Sequence, residues 1–456
     1  MTISVPRRMR RRIAPVALAL ALALSIWYVA QPLDSPARLA LRFNLGRLAA
    51  KAVGGDGWLR GPARHRLDLR SDVGYIIKTG YGTRDRLPEQ LEALGHGILG
   101  DEGRGFLVVG DWTTVNETDG RRLGVDVHDA VRMVMETKID DEFAEHPRFS
   151  KYRSLQGTVA AGDEDKAKLL GQTYGWELDA LKFIMGLELA YRRLPLKKWY
   201  MILDDDTYLV RPSLELLLSH LDPSKPRYIG NAVGDYKGRF AHGGSAVLLS
   251  GAAMKVLFER PDVVARAYVD SLDETWGDRL VATTLQKVGI YMEERYGHHF
   301  NGESPEMSRI RADRVCSPVV SFHGLRRPGA MASVGRKLGW VAEPVLWGQL
   351  WELFGEQPME RYGRRPSLPG DHVGPRDEHT KSWKGVSGDE ACRTRCEGSG
   401  GGWCLAWTFE RETNECHGSP WVMVGQPGGG GGRPATVSGV NWKRMERLLQ
   451  QCLPPR

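Results

Sequence analysis

Asp204, Asp205 and Asp206 stand in a row directly behind the apolar run Trp199-Tyr200-Met201-Ile202-Leu203. Three adjacent carboxylates repel one another, and nothing in packing rewards them unless a cation or an array of donors sits opposite. A hard divalent ion is the natural partner. Mg²⁺ and Mn²⁺ take oxygen ligands and commonly combine one or two carboxylates with substrate phosphates, which leaves room for a nucleoside diphosphate. A solvated acidic turn or helix cap competes with that reading, since Asp ahead of Thr207 also suits a loop. The strand in front of the triplet decides for a site, because ligands of open α/β sheets gather at the carboxyl ends of strands.

The elements that must position this triplet are legible on either side of it. Val73-Gly74-Tyr75-Ile76-Ile77-Lys78 and Phe106-Leu107-Val108-Val109-Gly110 are short apolar runs bounded by turn formers, and Leu87 to Leu94 between them has helical spacing. Strand, helix, strand is the unit of a parallel sheet. A further helix fits Glu177 to Arg193, with Leu178, Leu181, Ile184, Met185 and Leu189 on one side and Pro195 ending it. Val319 to Phe322 is another apolar run, after which the pattern weakens, and 361–376 is rich in Pro, Gly and Arg, as a domain boundary would be. No internal repeat occurs at solenoid periods.

On these residues the chain resembles the fringe and core-1 β1,3-galactosyltransferase family, and its texture is most similar to fungal members. Trp199 to Val210, WYMILDDDTYLV, is similar to the family's acidic motif. Other blocks follow in the same order: Ile77-Lys78-Thr79-Gly80 with Leu87-Pro88, Gly175-Trp176-Glu177-Leu178-Asp179 with Lys182, Gly243-Gly244-Ser245, Gly277-Asp278, and Ser321-Phe322-His323. The resemblance covers roughly residues 72 to 330, and an ordered set of motifs is far more specific than any one of them.

The resemblance implies a glycosyltransferase-A, Rossmann-like α/β domain that transfers a sugar from a UDP-sugar donor to a glycan or glycoprotein acceptor with inversion, forming a β1,3 bond, UDP-galactose being favoured over UDP-N-acetylglucosamine. It implies that Asp206 and His323 are the protein's metal ligands, and a carboxylate with an imidazole favours Mn²⁺, with Mg²⁺ as the alternative. Asp204 and Asp205 would face the uridine and ribose side, with Lys78, Thr79 and Lys182 also on the donor. Gly243 and Gly244 would let the backbone approach the sugar nucleotide, although Gly-Gly alone is more often a turn. Asp278 would be the general base that takes the acceptor hydroxyl's proton; a helix N-cap is its plainer role. A lone histidine in the place of His323 is more often an ordinary core or surface residue, and only its place in the block argues otherwise.

Departures accompany the match. Gly277 stands where core-1 enzymes have a Glu beside the Asp, and Ala282 where they have Gly. Ala246 and Val247 replace a usual Gly-Tyr pair, and Gly324 replaces the proline after His323. These leave the acceptor open, and the missing Glu is the best support for a second reading, a membrane-anchored lectin on a degenerate transferase fold.

Outside the body, Ile13 to Ala30 holds 18 residues without a charge behind Arg7, Arg8, Arg10, Arg11 and Arg12, the pattern of a signal anchor. The expected order is a cytoplasmic tail at 1–12, a transmembrane helix at 13–30, a stem at 31–71, the catalytic domain at 72–360, a linker at 361–380 and a small module at 381–456. The expected location is the Golgi or endomembrane system, single-pass type II with the catalytic domain lumenal. The formal charge is +7, of which those arginines supply five units; the body is nearly neutral and nucleic acid is not an expected partner. Six cysteines, five of them in the last part of the chain, indicate a disulfide framework over a zinc site, and spacing leaves its connectivity open. The stretch from Ser387 to Arg444 resembles a PAN/apple module, α+β and disulfide-stapled, of a kind that binds protein or carbohydrate; a stapled unit without a ligand is as good a reading. That resemblance implies the pairs Cys392–Cys416 and Cys396–Cys404, leaving Cys316 for Cys452. Asn116-Glu117-Thr118 is the one N-x-[ST] sequon.

Overall fold

The computed structural model describes residues 7–52, 55–95, 97–114, 123–235, 238–425 and 436–452; the sequon at Asn116 and the glycine cluster at 428–432 lie outside them. Two helices lead the chain, α1 (Arg7–Ala30) and α2 (Pro36–Ala52). Among the described residues no helix is long and apolar enough to cross a membrane. This corrects the expected transmembrane anchor and, with it, the single-pass type II placement. α1 opens on arginines and carries Pro15 within it. Tyr28 near the end of α1 is instead covered by the Arg38 guanidinium, 4.4 Å from its ring centroid, and its hydroxyl accepts from Arg42 at 3.2 Å. Residues 36–52, read as stem, are thus helical, and Arg42 fastens α2 to the body by lying 3.9 Å over the Tyr291 ring.

The body is built on a six-stranded sheet. β1 (Val73–Lys78), β2 (Phe106–Gly110), β3 (Val127–Asp129) and β4 (Trp199–Asp204) run parallel. After β4 come the two-residue β5 (Tyr208–Leu209), then β6 (Tyr228–Gly230) and β7 (Val247–Ser250). The order is β3-β2-β1-β4-β7-β6, with β7 antiparallel to both neighbours. β1, apolar without alternation, is buried along its whole length, as a central strand covered on both faces must be. Its cover on one face is α3 (Glu164–Arg193), which starts on an Asp163 cap and buries residues 178 and 180–190; the expected apolar side of 177–193 is therefore the C-terminal half of a longer helix. Register sets Lys78 opposite Asp204 at the ends of β1 and β4.

Among the later elements of the body, three bear on the site and its neighbour: α4 (Gly277–Lys287), β8 (Arg309–Arg311) and β9 (Ser321–Phe322), the last pairing antiparallel with β5 just beyond the acidic triplet. The C-terminal part is a second sheet with β10 (Leu368–Pro369), β11 (Lys381–Trp383), helix α5 (Asp389–Glu397), β12 (Ala406–Glu410), β13 (Glu415–Ser419), β14 (Trp421–Met423), β15 (Thr436–Val440) and helix α6 (Trp442–Gln450). Its five strands lie in the order β10-β15-β12-β13-β11. β10 falls inside the segment read as linker and forms an edge of this sheet. Disulfides join Cys392 to Cys416, Cys396 to Cys404 and Cys316 to Cys452, the pairs the PAN/apple resemblance implies. β14 leaves that sheet and pairs with β8, Ile310 opposite Val422, so the module and the body are joined by backbone as well as by Cys316–Cys452.

Candidate active site

All four parallel strands of the sheet deliver polar residues at their carboxyl ends: Lys78 and Thr79 from β1, Asp111 just after β2, Asp129 from β3 and Asp204 from β4. The backbone after β4 turns through Asp205 and Asp206, and buried Gln90 fixes the turn by donating to the carbonyls of Asp204 at 2.6 Å and Thr207 at 2.8 Å.

The three acids of the triplet have different surroundings. Asp204 pairs with buried Lys78, whose Nζ lies 2.9 Å from its Oδ1 and donates to both Asp179 oxygens at 2.8 and 2.9 Å. Burial alone would lower the Lys78 pKa; the Asp179 and Asp204 carboxylates outweigh it and raise it. Asp205 is enclosed. Thr79 and Thr83 donate to its Oδ2 at 2.9 and 2.5 Å, and Arg86 donates to Oδ1 at 3.2 Å. Burial, reinforced by neighbouring Asp206, pushes its carboxyl up to about 6. With both oxygens engaged inside the protein, Asp205 shapes the turn and leaves Asp204 and Asp206 to face the cleft.

Asp206 lies against His323, Oδ1 to Nε2 at 3.1 Å, and accepts from Arg326 Nε on Oδ2 at 2.9 Å. Burial would raise its pKa, but His323 and Arg326 hold the carboxyl well below the ordinary range. The His323 tautomer is set from behind: Nδ1 is 3.2 Å from the Gly302 carbonyl, which can only accept, so Nδ1 carries hydrogen and Nε2 turns to Asp206. Burial works against a charged His323, yet Asp206 raises its pKa overall. One ligand atom from each of Asp204, Asp206 and His323 falls within 4.8 Å of the others. Among the described residues Asp204 Oδ1 is held by its ion pair with Lys78 alone, and two carboxylates with one imidazole form a donor set that fits a divalent ion of the Mn²⁺ or Mg²⁺ kind.

The Gly243-Gly244 turn links this cluster to Asp278. Gly243 N–H donates to Asp278 Oδ2 at 2.7 Å, and the Gly244 carbonyl accepts from Thr207 Oγ1 at 2.7 Å. A Cβ on Gly244 would lie 2.2 Å from His323 Nε2, so only glycine leaves the imidazole its place. Next to it Ala246 holds φ at +79°, a backbone that favours glycine. Asp278 is the second residue of α4, whose N-cap is Trp276 without a capping side chain. It accepts from its own neighbour, Arg279 N–H, at 2.8 Å. It is therefore not the N-cap residue, although it satisfies one first-turn N–H of α4, and burial pushes its carboxyl up to about 6, with Lys78 opposing and Asp204 assisting.

Lys182 is spent inside the protein. Its Nζ donates to the Thr79 carbonyl at 2.8 Å and to Asp111 at 2.9 Å, with both side chains buried, so it anchors the loop after β1. Residues outside the motif reading surround the cluster: Gln90 and Asp111 from within the fold, and Arg86, Arg326 and His242 beside the acids, the His242 ring standing edge-on to His323 at 5.2 Å. Asp111 was recoverable by the rule applied to the triplet, an acid directly behind an apolar strand. Arg86, His242 and Arg326 carry no such signal.

Residues 177–275 match the family model described as Fringe-like. The match runs through the C-terminal half of α3, β4, the acidic triplet and the Gly-Gly turn, and it supports the fringe-like glycosyltransferase family for this chain, with glycosyl transfer as the general activity. A nucleotide-sugar donor goes with that activity. No curated protein matches the chain.

Proposed function

We propose that this fringe-like chain is an inverting β1,3-glycosyltransferase that uses a UDP-sugar, with UDP-galactose favoured, and a hydroxyl of a glycan or glycoprotein as acceptor. The observation that carries the reading is the joining of Asp204, Asp206 and His323 to Asp278 through the Gly243-Gly244 turn, an ion-binding cluster and a carboxylate base on one cleft. Asp206 and His323, with Asp204 beside them, would hold Mn²⁺, or Mg²⁺ in its place, and the ion supplies charge to neutralise the departing diphosphate.

The chain's own residues do the rest. Lys78 sets the Asp204 carboxylate and lowers the net negative charge that a diphosphate meets. Arg86 and Arg326, held on Asp205 and Asp206, add positive charge at the same edge. Gly243 and Gly244 keep backbone close to the donor where any side chain would displace His323. Asp278 takes the proton of the attacking hydroxyl, and a carboxyl poised near 6 is ionised at pH 7 while remaining a stronger base than an ordinary aspartate. The C-terminal sheet is read as a PAN/apple-like unit that binds protein or carbohydrate near this cleft.

A panel of UDP-sugars assayed on the full chain for UDP release and transfer, with and without Mn²⁺, tests the proposal. Turnover with UDP-galactose that requires the ion is expected. Tight binding of UDP and glycan with no transfer from any donor would favour the lectin reading instead.

A further inference from the structure

Asp56, His298 and His299 form a second cluster with ligand atoms within 4.8 Å of one another, built from residues that take no part in the cleft. His298 Nε2 is 2.9 Å from Asp56 Oδ2, and His299 Nε2 is 3.4 Å from Asp56 Oδ1. Two ligand bonds of about 2.0–2.1 Å at a tetrahedral angle put their ends about 3.3 Å apart, so these separations suit atoms that share one ion.

His299 makes the stronger argument. It is fully buried, and Nδ1 lies 2.9 Å from the Pro318 carbonyl, an acceptor, so Nδ1 carries hydrogen. In the neutral ring the Nε2 lone pair then points at a carboxylate oxygen, and Nε2 has no hydrogen-bond partner. In that tautomer a buried lone pair faces an anion with nothing between them, an arrangement that a shared cation relieves. Ser317 Oγ steadies Asp56 Oδ2 by donating at 2.5 Å, the outer support typical of a ligating carboxylate.

We propose that Asp56, His298 and His299 bind a structural divalent transition metal of the zinc class, distinct from the ion of the cleft. Two imidazoles and one carboxylate suit Zn²⁺ better than the oxygen-seeking Mg²⁺, and water takes the fourth position on the side where His298 is part-exposed. The ion ties the segment ahead of β1 to two stretches that support the cleft. The first is 299–303, where Gly302 and Glu303 offer carbonyls to His323; the second is 317–320, where Val320 N–H donates to His299.

The test uses tag-free full-length protein carrying Asp206→Ala, which disables the cleft ion, with Co²⁺ and Zn²⁺ as probes. One Zn²⁺ per chain should survive dialysis, raise the Tm by several degrees over the chelated protein, and be replaced by Co²⁺ with tetrahedral d–d bands. Asp56→Asn and His298→Gln, each added separately, should weaken Co²⁺ binding at least tenfold. X-ray absorption of the bound zinc should show two imidazoles and oxygen, a readout that needs no further variant to fold. Absence of Co²⁺ binding, unchanged binding in both folded variants, or a zinc shell without imidazole would overturn the proposal.

Discussion

In the cleft, Asp179, Asp204, Asp205 and Asp206 are held against Lys78, Arg86, Arg326 and His323 at the carboxyl end of a sheet whose central strands are otherwise apolar. In the C-terminal module the buried polar residues, His372, Thr408, His417, Ser419 and Ser438, are uncharged at neutral pH or hydroxyl-bearing, and the outer half of the fold is closed by sulfur. Val386, Trp407, Phe409 and Val437 pack with Cys392, Cys396, Cys404 and Cys416 in a core of their own. The inner half has no such separateness, since Leu405, Ala406, Val422, Val424, Val440 and Met445 belong to the same core as β1 and β4. A region with a large apolar core can bear buried charge at one edge, whereas a small one closes covalently what burial cannot hold.

The sharpest way to break this contrast is Asp206→Ala. It should abolish transfer and Mn²⁺-dependent UDP affinity, because it removes a ligand and leaves the diphosphate charge uncompensated, while the module's response to reducing agent stays as in the wild type. Calorimetry with UDP and Mn²⁺ checks it; unchanged affinity would move the ion elsewhere.

Asp278→Asn comes next. It keeps shape and most hydrogen bonding but cannot take a proton, so turnover should fall roughly 10² to 10⁴-fold with UDP affinity held. Wild-type turnover should rise with pH through about 6, since below that the base is protonated. The stability of the metal-free protein should move the other way. Asp205 and Asp278 have carboxyls raised to about 6, so their contribution to the fold is complete below about 4 and is lost as pH rises through about 6. Melting curves without metal across that range, repeated with Asp278→Asn, would show a smaller loss in the variant.

A moderate effect is expected in the module. Replacing Cys392 and Cys416 together by Ala opens a loop of sequence separation 24 and should loosen α5 and the outer core by roughly 3 kcal/mol. Limited proteolysis should then cut around α5, with UDP affinity unchanged and the body-facing strands retained. Loss of UDP binding in the same variant would mean that the two regions unfold as one unit. The smallest change is Ala246→Gly, which should raise stability by about 1 kcal/mol by removing a side chain from a left-handed backbone position, read as a small rise in Tm.

Much of the body was readable residue by residue. The runs 73–78 and 106–110 are strands over those same spans, and 199–203 extends by a single residue to Asp204, because unbroken β-branched and aromatic stretches between turn formers have no other stable use in a buried sheet. The helix at 177–193 was legible only in its buried half, since the polar first half of α3 gives no apolar period. The charged stretch ahead of Ile13 and the uncharged one behind it pointed to a bilayer, whereas no helix among the described residues is long and apolar enough to cross one.

By itself, then, the sequence determined that three acids would end a central strand, that glycines would sit beside them, and that an ordered set of motifs would gather around a parallel sheet, since all of these follow from local chemistry and periodicity. Only the tertiary structure decided the division of labour among those acids. Asp205 is sealed by Thr79, Thr83 and Arg86 while Asp204 and Asp206 face His323, and Lys182 turns inward to Asp111. The same holds for the meeting of Asp56 with His298 and His299 across some 240 residues of chain. The protonation and availability of a carboxylate depend on burial and on partners distant in sequence, which no local pattern encodes.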